Sequence, residues 1–299
     1  MLTGIHITVI GGDARQLEIV RKFVEMDARL TLVGFEQLDH AFSGAGKESL
    51  EDAPLEETDV IVLPVPGTNA NGEVDTIFSH ETITLTEEAL ARTPEHCVVY
   101  SGISTDHLEK VTKRANRKLV QLFDRDDVAI YNSIPTVEGT IMMAIQHTDF
   151  TIHGAEVVVL GLGRVGMSVA RTFANLGARV KVGAHKTEQL ARITEMGLTP
   201  FHLEDLSKEV ETCDLCINTI PAHVVTANAI AKMPTHTLII DLASKPGGTD
   251  FRYAEKRGIK ALLAPGLPGI VAPKTAGQIL AKVLCQLIDE EAKLRKESS

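Results

Sequence analysis

Between residues 156 and 166 the chain reads Glu-Val-Val-Val-Leu-Gly-Leu-Gly-Arg-Val-Gly, a β-branched apolar run that passes straight into G-x-G-x-x-G and then into a helical pattern. This stretch restricts the fold more than any other. In a strand–turn–helix unit each glycine has a distinct role. Gly161 makes the tight turn, Gly163 lets a pyrophosphate approach the backbone, and Gly166 lets the helix pack against the strand. The helix start adds amide donors and a positive dipole end. Alone the glycine spacing would fit a bare turn. Its flanks make it a dinucleotide fingerprint, with Gly161, Gly163, Arg164, Val165 and Gly166 as the contact residues.

The end of the following strand separates NAD from NADP, because an acid there takes the ribose 2′-hydroxyl and cations take a 2′-phosphate. Here Val180-Lys181-Val182-Gly183-Ala184 runs into His185-Lys186-Thr187, with no acid at that point. The expected cofactor is therefore NADP, held at a corner of His185, Lys186 and Thr187, with NAD as the alternative. Further along, Asn218, Thr219 and Pro221 follow one strand and Asp241 ends the next, and these are expected to shape the nicotinamide end.

The strand–helix alternation occurs twice. Ile5–Ile10, Leu30–Phe35, Asp59–Pro64, Cys97–Tyr100 and Lys118–Phe123 read as strands, with helical patterns between them. After Phe150 the pattern restarts with strands at Glu156–Leu160, Arg179–Gly183, Leu215–Thr219 and Thr237–Asp241. This predicts an α/β fold of two doubly wound, Rossmann-like parallel sheets joined by crossover helices. The expected domains are 1–135, completed by the C-terminal helix 275–299, a linking helix at 136–150, and a nucleotide-binding domain at 151–274. Gly44–Asp52 and Thr68–Asp75 read as polar loops. Gly11-Gly12-Asp13 opens the first half but lacks the third spaced glycine, so it reads as a plain strand–helix turn.

Composition narrows the partners. With 30 Lys and Arg against 40 Asp and Glu, the net charge of −10 disfavours a nucleic-acid backbone. The four cysteines are too few and too scattered for a disulfide framework, and Cys213-Asp214-Leu215-Cys216 has no second ligand pair, so it reads as core rather than a zinc or redox centre. No metal site is expected. The first residues lack a basic start followed by a long apolar run, and no segment approaches the ~20 apolar residues of a membrane span. The expectation is a cytoplasmic protein, assembled as a symmetric homo-oligomer.

In open α/β sheets ligands sit beyond the carboxyl ends of the strands. Those ends carry Ser101 and Ser104, the run Asn132-Ser133-Ile134-Pro135-Thr136, and the Lys245 and Lys274 loops. Ser104/Thr105, Thr136 and Lys274/Thr275 are read as helix starts able to offer amides to a carboxylate, or as ordinary N-caps.

Taken together, GGDARQ, LPVPG, YSGIS, NSIPTVEG, VVVLGLGRVGMSVAR, NTIPAHVV, DLASKPGGTDF and APGLPGIVAPKTAG resemble the family of the dipicolinate synthase A subunit over essentially the full length. The resemblance implies NADP-linked oxidation of dihydrodipicolinate to dipicolinate in the mother cell of a sporulating bacterium, beside the flavoprotein-like B subunit of dipicolinate synthase. His185 and Lys186 then stand where an arginine-type phosphate contact is expected. For a dicarboxylate, Ser101, Ser104, Asn132 and Thr136 would hold one carboxylate and Lys274 with its adjacent amides the other. Lys274, Lys245 and His223 are the candidates for acid–base work. Two alternatives remain. One is another bipartite NADP-dependent dehydrogenase of 2-hydroxy-acid or shikimate type, although Pro265–Thr275 contains neither the Arg nor the His of the former. The other is a non-catalytic NADP-binding regulatory protein.

Overall fold

The structure, a computed structural model, describes residues 1–39, 42 and 44–298. It divides into two compact units, Met1–Tyr131 with Ala272–Ser299, and Asn132–Val271. The first contains β1 (His6–Ile10), α1 (Ala14–Glu25), β2 (Arg29–Val33), β3 (Ala45–Glu48), β4 (Val60–Val62), β5 (Glu73–Val74), β6 (Ile83–Thr84), α2 (Glu87–Ala91), β7 (Val98–Ser101), α3 (Asp106–Arg114) and β8 (Lys118–Gln121). Helix α4 (Asp126–His147) leads into the second: β9 (Glu156–Leu160), α5 (Arg164–Asn175), β10 (Arg179–Ala184), α6 (Thr187–Glu195), β11 (Thr199–His202), α7 (Leu206–Glu209), β12 (Leu215–Asn218), α8 (Ala227–Ile230), β13 (Leu238–Asp241), α9 (Phe251–Arg257), β14 (Lys260–Leu263) and α10 (Leu267–Val271). Helix α11 (Pro273–Ser298) belongs to the first unit.

Each unit is built on a six-stranded parallel sheet, ordered β3-β2-β1-β4-β7-β8 in one and β11-β10-β9-β12-β13-β14 in the other. The order reverses beside β1 and beside β9, which makes a switch point in each sheet. The β-branched runs form central strands because both of their faces are covered. In β9, Val157 and Val159 enter one core with Val169 and Phe173 of α5, while Val158 and Leu160 enter the opposite core with Ala229 and Ile230 of α8. In β1, Ile7 and Val9 pack in the layer of α1 and α11, and Ile10 in the layer of α3. Helices α1 and α11 meet at Gly277, where a Cβ would lie 2.5 Å from the Arg15 carbonyl oxygen.

Three sequence expectations fail. The run from Asn132 to Gly139 is not a strand-end loop, and Thr136 does not start a helix, because both lie inside α4. Asp126 and Asp127 already occupy the first turn of this helix, where acids suit the helix dipole. The supposed Gly44–Asp52 loop contains β3, whose Ala-Gly-Lys-Glu sequence carries no strand signal and forms an edge by pairing with β2. Likewise the Thr68–Asp75 loop contains β5, which pairs with β6.

Candidate active site

The site is built where β9 ends. Gly161 adopts φ +94°, and its N–H donates to Gly183 O at 2.9 Å. A Cβ on Gly161 would lie 2.8 Å from Thr219 Oγ1, and one on Gly166 only 2.1 Å from Gly161 O. Thr219 closes the turn from below, its hydroxyl donating to Leu160 O at 2.8 Å. These two glycines are demanded by the protein itself. Gly163 is different: a Cβ there would meet nothing within 4 Å. It is the N-cap of α5 and offers no side-chain cap, so the helix start faces open space shaped for close approach to its backbone.

That space is a cleft of about 520 Å³ within the second unit. Gly161, Gly163, Arg164, Val165, Thr219 and Pro221 line it, as do His185 and Lys186 after β10. Among the described residues no acid lines it, and Lys186 is the uncapped N-cap of α6. Gly166 sits behind the turn, and Thr187 opens α6 outside the lining. Sequence reading missed Gln189 on α6 and Leu203 after β11, whereas Ile220, Ala243 and Ser244, which also line the cleft, belong to the strand-end loops expected to face it. Leu203 arrives through β11, whose Thr-Pro-Phe-His sequence hides a strand because Pro200 lacks an N–H, tolerable at an edge. Asn218 and Asp241 are fully buried and do not line the cleft. Open backbone at a helix start, cations beside it and the absence of an acid fit a phosphate-bearing dinucleotide.

The other candidates divide between the two units. Ser101 is fully buried and its hydroxyl donates to Ile103 O at 2.7 Å. The Ser104 hydroxyl donates to Glu109 at 2.5 Å, and Thr105 caps α3. Thr136 spends its hydroxyl proton on Asn132 O at 2.8 Å, whereas the Asn132 amide extends from α4 without such a bond among the described residues. Lys274 is exposed in the first turn of α11, and Lys245 and His223 are exposed on the loops after β13 and β12. The Cys213 and Cys216 thiols are buried; desolvation pushes Cys216 up to about 12 and Cys213 well above its ordinary value. Neither is a poised thiolate. Among the described residues no His, Cys, Asp and Glu group forms a metal-binding cluster, and no helix is long and apolar enough to cross a membrane.

Residues 6–123 match the family model of the N-terminal domain of the dipicolinate synthase A subunit, and residues 136–298 match that of the alanine dehydrogenase/PNT C-terminal domain. The curated A subunit of dipicolinate synthase from Bacillus subtilis (strain 168) is 63% identical over 97% of this chain and 98% of its own length. The chain belongs to the family of the dipicolinate synthase A subunit. A crystal structure of that subunit from Bacillus halodurans is 67% identical, covers 96% of this chain and 99% of its own, and superposes with a TM-score of 0.95. A transhydrogenase from Sinorhizobium meliloti, 15% identical over 94% of both chains with a TM-score of 0.67, shares the fold. The chain is thus oxidoreductase-like, and its second domain implies a nicotinamide dinucleotide.

Proposed function

We propose that this chain uses NADP to oxidise dihydrodipicolinate to dipicolinate, working with the B subunit of dipicolinate synthase in the cytoplasm of a sporulating mother cell. The observation that carries the cofactor choice is the acid-free end of β10, where His185 and Lys186 line the same cleft as the open Gly163 turn. Family membership supports the substrate and the partner. When bound, the nicotinamide supplies a two-electron hydride acceptor. The chain's own residues must then hold the two carboxylates, orient the ring, and receive the one proton lost beside the hydride as the ring becomes aromatic.

Lys274 and the first amides of α11 suit one carboxylate, since both a cation and a helix start favour an anion. Asn132 is the freest polar group of the set proposed for the other, because Ser101, Ser104 and Thr136 already commit their hydroxyl protons. His223 and Lys245, exposed on the loops next to the cleft lining, are the proton acceptors to test.

The deciding experiment follows the absorbance of reduced nicotinamide with freshly generated dihydrodipicolinate, offering NADP or NAD, with and without the B subunit. Reduction of NADP with appearance of dipicolinate is expected. Dinucleotide binding with no turnover in any combination would favour a regulatory role instead. In the same assay Lys274→Ala should raise the substrate KM; unchanged KM and kcat would remove Lys274 from the site.

A further inference from the structure

Asp241 ends β13, is fully buried, and nevertheless receives donors from four residues. Its Oδ1 accepts from Asn218 Nδ2 and from the Ala243 N–H, each at 3.0 Å. Its Oδ2 accepts from the Gly248 N–H at 2.8 Å and the Thr249 hydroxyl at 2.6 Å. Asn218 sits opposite Asp241 in the β12–β13 ladder and is buried as completely. Its Nδ2 also donates to Ile220 O at 3.1 Å, and its Oδ1 accepts from Ile220 N at 3.0 Å. The Gly248 carbonyl accepts from Val224 N and Val225 N at 3.0 and 2.9 Å, and a Cβ on Gly248 would lie 2.3 Å from Ala222 O. The loops after β12 and β13 are therefore tied together through one carboxylate.

The consequence reaches the cleft. Ile220 and Ala243, gripped directly by this network, line it, as do their neighbours Pro221 and Ser244. We propose that Asp241, Asn218 and Thr249 are positioning residues for the dinucleotide: they stay out of contact with it and set the wall formed by these four residues. This inference rests on the proposed cofactor site and gives it a second component, separate from the glycine turn and the His185–Lys186 corner. A buried carboxylate can hold such a wall because charge-assisted bonds are strong in the interior, and losing one donor leaves the charge short of a partner.

Thr249 is the place to test it, since Val preserves the shape and removes the hydroxyl while Ser keeps the hydroxyl. Two probes are titrated into the full chain: NADPH, and adenosine 2′,5′-bisphosphate, which lacks the nicotinamide half. Thr249→Val should weaken NADPH about tenfold, change the bisphosphate Kd by less than about twofold, and be rescued by Thr249→Ser. Equal weakening of both probes would assign Thr249 a merely structural role, and unchanged NADPH affinity would show that the wall does not depend on it; either result overturns the proposal. A native chain that binds neither NADPH nor NADH overturns the cofactor reading itself.

Discussion

In the first unit β1 runs into Gly11-Gly12-Asp13 and then α1; in the second, β9 runs into Gly161-Leu162-Gly163 and then α5. Both turns lie at the switch point of sheets with the same strand order. In the first, the chain has filled the turn with itself. The Gly12 N–H donates to Asp75 O at 2.8 Å, Ile77 N donates to Gly12 O at 2.9 Å, and a Cβ on Gly11 would lie 2.8 Å from Asp75 O. Asp13 then caps α1, accepting from Arg15 N at 3.0 Å, while Gln16 Oε1 accepts from Asp13 N at 3.3 Å. The second turn has an uncapped helix start and a middle glycine facing open space.

The opposite ends of the two sheets agree closely. Asp59, before β4, accepts from His6 N at 2.9 Å and His96 Nε2 at 2.7 Å. Asp214, before β12, accepts from Glu156 N at 2.8 Å and His236 Nε2 at 2.8 Å. The same clamp thus joins the first and fourth strands of each sheet, and each clamping histidine follows a proline by two residues. The ends that stabilise the sheets are alike; the ends that meet ligands differ. Chemistry on this scaffold is set by the loops at the strand carboxyl ends, not by strand order.

The sharpest way to break this comparison is a pair of glycine substitutions. Gly166→Ala puts a Cβ against the backbone of Gly161, which cannot move without opening the turn. Overpacking of this kind costs about 1–3 kcal/mol, and if that strain falls on the bound state dinucleotide affinity drops roughly ten- to hundredfold. Gly12→Ala combines φ +114° with a Cβ 2.4 Å from Gln16 Cδ, so Gln16 must leave its cap. It should cost about 1–3 kcal/mol of stability and leave dinucleotide affinity unchanged. Titration and thermal melting of both variants decide it: weakened binding in Gly12→Ala would mean that the first turn also serves the cofactor.

Next in size is the corner after β10. Lys186→Ala should weaken NADPH about tenfold, the loss of one charge-assisted contact, and leave NADH within about twofold. Equal losses for both cofactors would show that Lys186 does not read the 2′-phosphate. Gly163→Ala sharpens the contrast from the other side. Its Cβ meets no protein atom, so the melting temperature should hold while both dinucleotides weaken several-fold, since one methyl group then occupies the space for their approach. A fall in melting temperature with full affinity would make Gly163 a structural glycine like its neighbours.

Most strands legible in the sequence were central ones with both faces buried, because an unbroken β-branched run such as Val157–Val159 has few other uses. Three of the four edge strands escaped: β3, β11 and β14 owe their conformation to a neighbour's free ladder, which composition does not record, while the fourth edge, β8, was read at Lys118–Phe123. The glycine turn was readable because Gly161 and Gly166 answer local steric demands between a strand and a helix, with Gly163 at the fingerprint spacing between them, and His185 and Lys186 because they directly follow a strand end. Asn218 and Asp241 were also visible as strand ends, but whether a strand-end side chain faces a ligand or turns inward depends on loops far along the chain, here Ala243–Thr249. Thr136 misled because a threonine that caps one helix and a threonine inside another, its hydroxyl bonded back to Asn132 O, look alike without the preceding turns.

The smallest expected effect concerns the clamp itself. Burial raises the Asp59 carboxyl, but the His6 N–H, His96 and Arg295 outweigh it and hold the group below the ordinary 3.8. A carboxyl with a lower folded than unfolded pKa binds fewer protons in the native state. Its stabilising contribution is complete above the unfolded value and is lost as pH falls through the folded one. Asp59→Asn should therefore be less stable than the native chain near neutrality, with the gap closing below about pH 4. Denaturant titrations between about pH 3 and pH 7 measure this difference directly. A gap that persists undiminished in acid would mean that the clamp acts through shape alone, and that the charge on Asp59 contributes nothing to joining β1 and β4.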